Sequence, residues 1–104
     1  MQLTRDADKL VCSMYKSYLE KRDAGFSKVN ARIFELPEIQ SYKLCAKWSV
    51  QDIKATVSEL QKAGFGTMYY SGGFCADETF IIYMENRFKN GAKEVLEFIG
   101  KFIP

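Results

Sequence analysis

The chain has 104 residues, a formal net charge of +2 and no histidine. This length supports one domain with one hydrophobic core, and a composition of 47% apolar and 27% charged residues is ordinary for a folded protein. Without histidine the sequence cannot build a Ser-His-Asp or Cys-His nucleophile system. The carboxylates and lysines are scattered along the chain. We therefore predict a single domain, residues 1–104, that is not an enzyme and uses no metal or other cofactor.

The N-terminal sequence and the cysteines predict a cytoplasmic protein without membrane contact. MQLTRDADKL mixes charged and apolar residues, unlike a signal peptide. No apolar run in the sequence approaches the roughly 20 residues of a membrane-spanning helix. Cys12, Cys45 and Cys75 are odd in number and widely spaced, which fits neither a disulfide framework nor a zinc site. We interpret them as small, mostly buried apolar side chains.

The first predicted helix runs from about Thr4 to Asp23. Thr4 can cap it, because a threonine hydroxyl accepts a hydrogen bond from a backbone N–H of the first turn. Gly25 can end it with a positive φ angle. The apolar residues recur at helical spacing, at Leu3, Leu10, Met14 and Tyr18, with Val11 and Leu19 beside them.

A second, shorter helix is predicted in SKVNARIFEL, with Ser27 as its N-cap. Its inward-facing residues are expected to be Val29, Ile33 and Leu36. Pro37 disfavours helical geometry in the residue before it, so we expect the helix to stop at Leu36. The following EIQSYKLCAKW has mixed character. It is compatible with a loop, another short helix, or a short first strand at Tyr42 to Ala46.

The third predicted helix has the clearest boundaries. SVQD, from Ser49 to Asp52, is a capping box in the looser S-x-x-D form, and Gly64 suits the position just after the helix. One apolar stripe follows from Val50, Ile53, Val57 and Leu60. The opposite face carries Gln51, Ala55, Ser58, Glu59 and Lys62, with Lys54 on the flank.

A hairpin is predicted directly after this helix, at residues 66–76. GTMYY is rich in aromatic and β-branched residues, and the glycines of Ser71 to Gly73 allow the positive φ of a tight turn. Tyr69, Tyr70 and Phe74 could stack on nucleic-acid bases or pack across the hairpin onto the core. Since successive strand residues point to opposite faces, one of the two tyrosines must point outward.

The C-terminal part predicts a helix that begins with Asp77 as N-cap. Asn90 and Gly91 break or kink it, because glycine weakens a helix interior, and one helix or two remains open. The apolar spacing of three or four is kept by Ile81, Met84, Phe88, Ala92, Val95, Ile99 and Phe102. Residues 89–104 are expected to form a dimerisation helix, with a stripe of Val95, Leu96, Ile99, Phe102 and Ile103 that would make the protein a homodimer.

The stretch SVQDIKATVSELQKAGFGTMYYSGG resembles the recognition helix and wing of winged helix-turn-helix proteins. In that family a capped amphipathic helix ends in Leu-x-x-x-Gly and runs into a hairpin, as Leu60 to Gly64 does. The resemblance covers roughly residues 6–88. It implies an α+β fold, mostly helical, with a three-helix core, a β-hairpin wing and a C-terminal amphipathic helix. The tail IIYMENRFKNGAKEVLEFIGKF is also similar to short uncharacterised proteins of Gram-positive bacteria and their phages, a likeness that brings no activity with it.

Carried over by position, the resemblance implies a surface that binds double-stranded DNA. Base contacts would come from Gln51, Ala55 and Ser58. Phosphate contacts would come from Lys47, Lys54 and Lys62, with Arg32 and Lys43 behind them. The wing contact would come from Tyr70 and Ser71.

The resemblance therefore predicts a small DNA-binding regulatory protein, as used in transcription regulation. The alternative is a winged-helix module for protein-protein interaction or assembly without DNA contact. Two departures from the family pattern favour that alternative. Asp52 and Glu59 make the predicted recognition helix electrically neutral, whereas phosphate contact dominates DNA affinity. The gap between Leu36 and Ser49 is also longer than a tight helix-turn-helix allows.

Overall fold

The computed structural model describes residues 3–102, which form an α+β arrangement of mostly helical character. In chain order the elements are α1 (Arg5–Asp23), α2 (Lys28–Ala31), β1 (Ile33–Phe34), α3 (Leu36–Ser41), a 3₁₀ turn (Lys43–Cys45), α4 (Val50–Lys62), β2 (Gly66–Met68), β3 (Phe74–Ala76), α5 (Glu78–Arg87) and α6 (Ala92–Ile99).

Helix α1 is the central helix of the fold, with α2, α4, α5 and α6 packed against it. Its predicted bounds are confirmed. The Thr4 hydroxyl accepts a hydrogen bond of 3.2 Å from the backbone N–H of Ala7, and Gly25 follows the helix at φ 97°. Because α1 is surrounded by other helices, its buried residues spread well beyond one narrow stripe, and comprise Ala7, Leu10, Val11, Cys12, Ser13, Met14, Tyr15 and Tyr18.

The helix predicted over residues 27–36 is wrong beyond its first turn. Ser27 does cap it, with its hydroxyl accepting from the N–H of Asn30, but α2 ends at Ala31. Val29 points to solvent and is 57% exposed, although it was expected to face inward. The chain then extends into β1, because the backbone of residues 33–34 finds a partner strand far along the sequence.

Pro37 opens a helix where it was expected to end one. It stands in the first turn of α3, where the missing N–H of proline would have no intrahelical partner in any case. The stretch from Glu38 to Cys45 therefore continues as the end of α3 and the 3₁₀ turn. Of the three alternatives for this stretch, the additional short helix is confirmed, and the strand at Tyr42 to Ala46 is wrong.

The sheet has three antiparallel strands in the order β1-β3-β2. The predicted hairpin is confirmed: Thr67 lies opposite Cys75 and Met68 opposite Phe74, and the turn contains Gly72 at φ 102°. On its other side β3 pairs with β1, where Phe34 lies opposite Phe74. Phe74 is fully buried, so it packs into the core and does not form part of a stacking platform.

The C-terminal part forms two helices. The Asp77 carboxylate caps α5 by accepting hydrogen bonds from the N–H groups of Thr79 and Phe80. Residues 88–91 separate α5 from α6, and Gly91 at φ 69° provides the break. Helix α6 then packs against α1.

Most of the stripe predicted to form a dimer interface is covered within the chain. Val95 is fully buried, Ile99 is almost so, and Phe102 packs at the edge of the core, whereas Leu96 is 49% exposed. Ile103 lies outside the described residues. The homodimer stays a prediction, but most of this stripe does not need a second copy to cover it.

Candidate nucleic-acid interface

Helix α4 separates its side chains into a buried face and an exposed face. Ile53, Val57 and Leu60 are buried in the core. With 3.6 residues per turn, the positions directly opposite these three are 51, 55, 58 and 62. The side chains there are Gln51, Ala55, Ser58 and Lys62, of which only Ser58 is partly buried. The predicted base-contacting residues thus share the midline of one solvent-facing surface.

The N-terminus of α4 is fixed by its predicted cap. The Ser49 hydroxyl accepts a hydrogen bond of 3.1 Å from the N–H of Asp52. At the other end, Gly64 at φ 84° ends the helix and turns the chain toward β2. Both ends of the exposed face are therefore set by residues within the helix segment itself.

The hairpin lies against one flank of α4. The Gln61 side-chain oxygen accepts a hydrogen bond of 2.7 Å from the N–H of Met68 in β2. At the hairpin turn, a Cβ added to Gly72 would lie only 3.1 Å from Cγ of Lys54. Beyond this contact Tyr70 is fully exposed, and Ser71 is also exposed. The exposed hairpin tip therefore adjoins the flank of α4 that carries Lys54, next to the midline.

The charges on this surface nearly balance. Lys47, Lys54 and Lys62 are exposed, and so is Asp52. Glu59 is partly buried and accepts a hydrogen bond of 2.8 Å from the Thr4 hydroxyl, which directs its carboxylate toward the start of α1. Lys62 therefore lies on the midline of α4 and Lys54 on its hairpin side, while Lys47 precedes the helix. One of the two acidic groups, Glu59, is turned away toward α1.

Two predicted site residues lie apart from this surface. Arg32 stands between α2 and β1, where its carbonyl accepts from the N–H of Ala76. Its side-chain Nε is buried and has no hydrogen-bond partner among residues 3–102. Lys43 lines a groove whose other walls are α1, α3 and α6, and none of the residues of α4 lines that groove.

This groove has a volume of about 490 Å³ and corresponds to no motif in the sequence. At its base the Glu38 carboxylate accepts hydrogen bonds from Ser17 (2.6 Å) and Tyr42 (2.8 Å) and forms an ion pair with Lys21 (2.6 Å). Burial raises the pKa of Tyr42, and the adjacent Glu38 carboxylate raises it further. Since these residues come from separate elements, their convergence depends on the tertiary fold.

Two of the three cysteines are buried and protonated. Burial raises the pKa of Cys12 to about 12 and that of Cys45 to about 11, so both thiols stay protonated at neutral pH. Cys75 is partly exposed on β3. Among residues 3–102, no three Cys, Asp or Glu side chains converge to hold a metal ion.

None of the helices described between residues 3 and 102 combines the length and apolar character needed to cross a membrane.

Comparison of the chain with family models, with curated proteins and with solved structures gave no match in any of the three.

Proposed function

We propose that this protein is a winged-helix protein that binds double-stranded DNA. The fold part of the proposal is supported by the element order and by the sheet. Apart from the single turn of α2 and the 3₁₀ turn, the elements run α1, β1, α3, α4 and the β2–β3 hairpin, which is the order of a winged helix. The first strand pairs with the last, which gives the sheet order β1-β3-β2. In this description α4 is the recognition helix and the hairpin is the wing.

The observation that carries the proposal is the shared surface of α4 and the hairpin tip. An α-helix fits the major groove of B-DNA, where side chains reach the base edges. The polar midline side chains Gln51 and Ser58 are suited to such contacts, and Ala55 between them allows close approach. Lys62 extends the same midline, and Lys54 lies beside the hairpin turn. Tyr70 projects fully exposed from the wing, as a backbone or minor-groove contact requires.

We include Lys47, Lys54 and Lys62 as phosphate contacts and leave Lys43 out, because Lys43 lines the separate groove. Three lysines per chain support only modest affinity, since each neutralised phosphate adds one increment of counterion release. The protein should therefore bind random duplex DNA weakly and with a clear salt dependence.

The test is a salt titration of binding to random duplex DNA, followed by fluorescence anisotropy. The variant carries Lys47→Ala and Lys62→Ala, which remove two exposed charges without touching the core. Each lost contact lowers the log-log salt slope by about 0.9, so the slope should fall by about two. The control variant carries Lys89→Ala and Lys93→Ala, two exposed lysines before and within α6, and should keep the wild-type slope.

The near neutrality of α4 favours a second candidate, a winged-helix module that contacts another protein through the same face. The two candidates differ in the salt titration. No detectable DNA binding at about 50 mM salt, where electrostatic contacts are strong, would favour the interaction module. Equal slopes for the two double variants would mean that any DNA binding does not use α4.

A further inference from the structure

We propose that the groove between α1, α3 and α6 binds a small amphipathic carboxylate, an activity independent of the DNA binding proposed above. The volume of about 490 Å³ is in the range of ligand sites in proteins. One wall is apolar, from Leu96 and Ile99 of α6. The facing walls are polar and include Ser13, Ser17 and Lys43.

The polar wall contains a hydroxyl that is available to a ligand. Ser13 is only 6% exposed, lines the groove, and forms no side-chain hydrogen bond within residues 3–102. Among the described residues, the Ser13 hydroxyl is not one of the buried side-chain atoms that lack a partner, so it faces the open groove. There it can bond to water or to a polar group of a ligand. The hydroxyls of Ser17 and Tyr42 differ, because both already donate to Glu38.

The charges of the groove favour an anion. Lys16 is paired with Glu20 at 3.3 Å, and Glu38 is paired with Lys21 at 2.6 Å. Lys43 is exposed at the rim and forms no ion pair within the described residues. After the pairs cancel, one positive charge is left, which matches a ligand with a single negative charge.

The apolar wall defines the rest of the ligand. Leu96 is 49% exposed, whereas Val95 and Ile99 of the same helix are buried. A short hydrocarbon body that covers Leu96 and Ile99 would remove apolar surface from water while its carboxylate reaches Lys43. Octanoate has this combination of a single carboxylate and a small apolar body, and it is the probe used below.

The test is a titration of ¹⁵N-labelled protein with octanoate, 1-octanol and octylammonium, followed by NMR. Octanoate should give saturable shifts at the amides of Ser13, Ser17 and Leu96, with a dissociation constant of about a millimolar or lower. Octanol should bind about threefold to fivefold more weakly, because it lacks one solvent-accessible ion pair. Octylammonium, with the wrong charge, should bind most weakly.

Two variants test the charge of Lys43 and the apolar wall of the groove separately. Lys43→Gln should weaken octanoate binding about threefold to fivefold and leave octanol binding unchanged. The control is Lys89→Gln, an exposed lysine outside the groove, which should alter neither. Leu96→Glu places a carboxylate on the apolar wall at an exposed position and should weaken octanoate at least tenfold. Equal affinities for octanoate and octanol, an unaltered Lys43→Gln variant, or shifts concentrated outside the groove would each overturn the proposal.

Discussion

Residues 28–45 and residues 49–76 both contribute strands to the same sheet, but different kinds of contact hold them. In residues 49–76, Ser49 caps its own helix and Gln61 bonds to Met68 only seven positions away. In residues 28–45, β1 pairs with β3, with Ile33 opposite Cys75 at a distance of 42 positions, and Glu38 bonds to Ser17 from 21 positions away. The conformation of residues 49–76 is therefore determined largely by contacts between residues close in sequence. The conformation of residues 28–45 depends on partners that are distant in sequence.

Phe34→Ala tests most directly whether residues 28–45 depend on distant partners, and it should lower the unfolding free energy most. The Phe34 ring is fully buried, lies edge-on to Phe80 at 6.5 Å and lies below the Lys21 ammonium at 4.5 Å. Removing a buried aromatic ring of this kind costs about 3–5 kcal/mol of unfolding free energy. Urea unfolding followed by circular dichroism measures the change.

The matched control is Phe26→Ala, the same exchange at a side chain that is 47% exposed. It should alter the unfolding free energy by no more than about 0.5 kcal/mol. Similar losses in the two variants would mean that β1 is not anchored through Phe34, and the contrast between the two segments would then fail.

The same contrast explains which parts of the fold the sequence could predict. The bounds of α4 and the hairpin follow from Ser49, Gly64 and the SGG turn, whose effects act over a few residues. Strand β1 has only two residues, too few to show strand alternation, so its apolar residues matched helical spacing instead. Pro37 was ambiguous, because proline both ends one helix and opens the next.

The candidate sites divide in the same way. The exposed face of α4 could be predicted from helical periodicity alone, since Gln51 and Ser58 lie opposite the buried stripe. The groove could not be predicted, because Lys43 meets Leu96 only after α3 and α6 pack on α1. The prediction that Arg32 and Lys43 belong to the DNA surface depends on their position just before α4 in the sequence, and sequence order does not determine on which side of a fold a residue lies.

Glu38→Gln should lower the unfolding free energy by an intermediate amount. The carboxylate joins α3 to α1 through Lys21 and Ser17, and Lys21 in turn bonds to the carbonyl of Ile33 in β1 at 2.8 Å. The neutral amide loses the ion pair while keeping nearly the same shape. Because both partners are largely shielded from solvent, we expect a loss of about 1–3 kcal/mol in unfolding free energy.

Its control is Glu20→Gln, which breaks the exposed pair with Lys16 and should cost less than about 0.5 kcal/mol. Both variants are compared by urea unfolding at low and high salt. Only the Glu20 variant should become indistinguishable from the wild type at high salt, since screening weakens exposed pairs more than shielded ones. A Glu38 variant that loses its effect in salt would show that this ion pair is solvated and does not hold α3 in place.

Of the three substitutions, Ser49→Ala should lower the unfolding free energy least. It tests whether local contacts determine the conformation of residues 49–76. The substitution removes the hydroxyl that accepts from the N–H of Asp52, so one N–H at the start of α4 loses its protein partner. Loss of a serine cap costs about 1 kcal/mol of unfolding free energy.

Ser71→Ala, the same exchange at an exposed turn position of the same segment, should cost almost nothing. Ser49→Asp should retain most of the stability, because aspartate also caps. Urea unfolding of the three variants decides the matter. If Ser49→Asp is as unstable as Ser49→Ala, the start of α4 is set by packing of Ile53 and Val57 and not by the cap, and residues 49–76 would depend on tertiary contacts as residues 28–45 do.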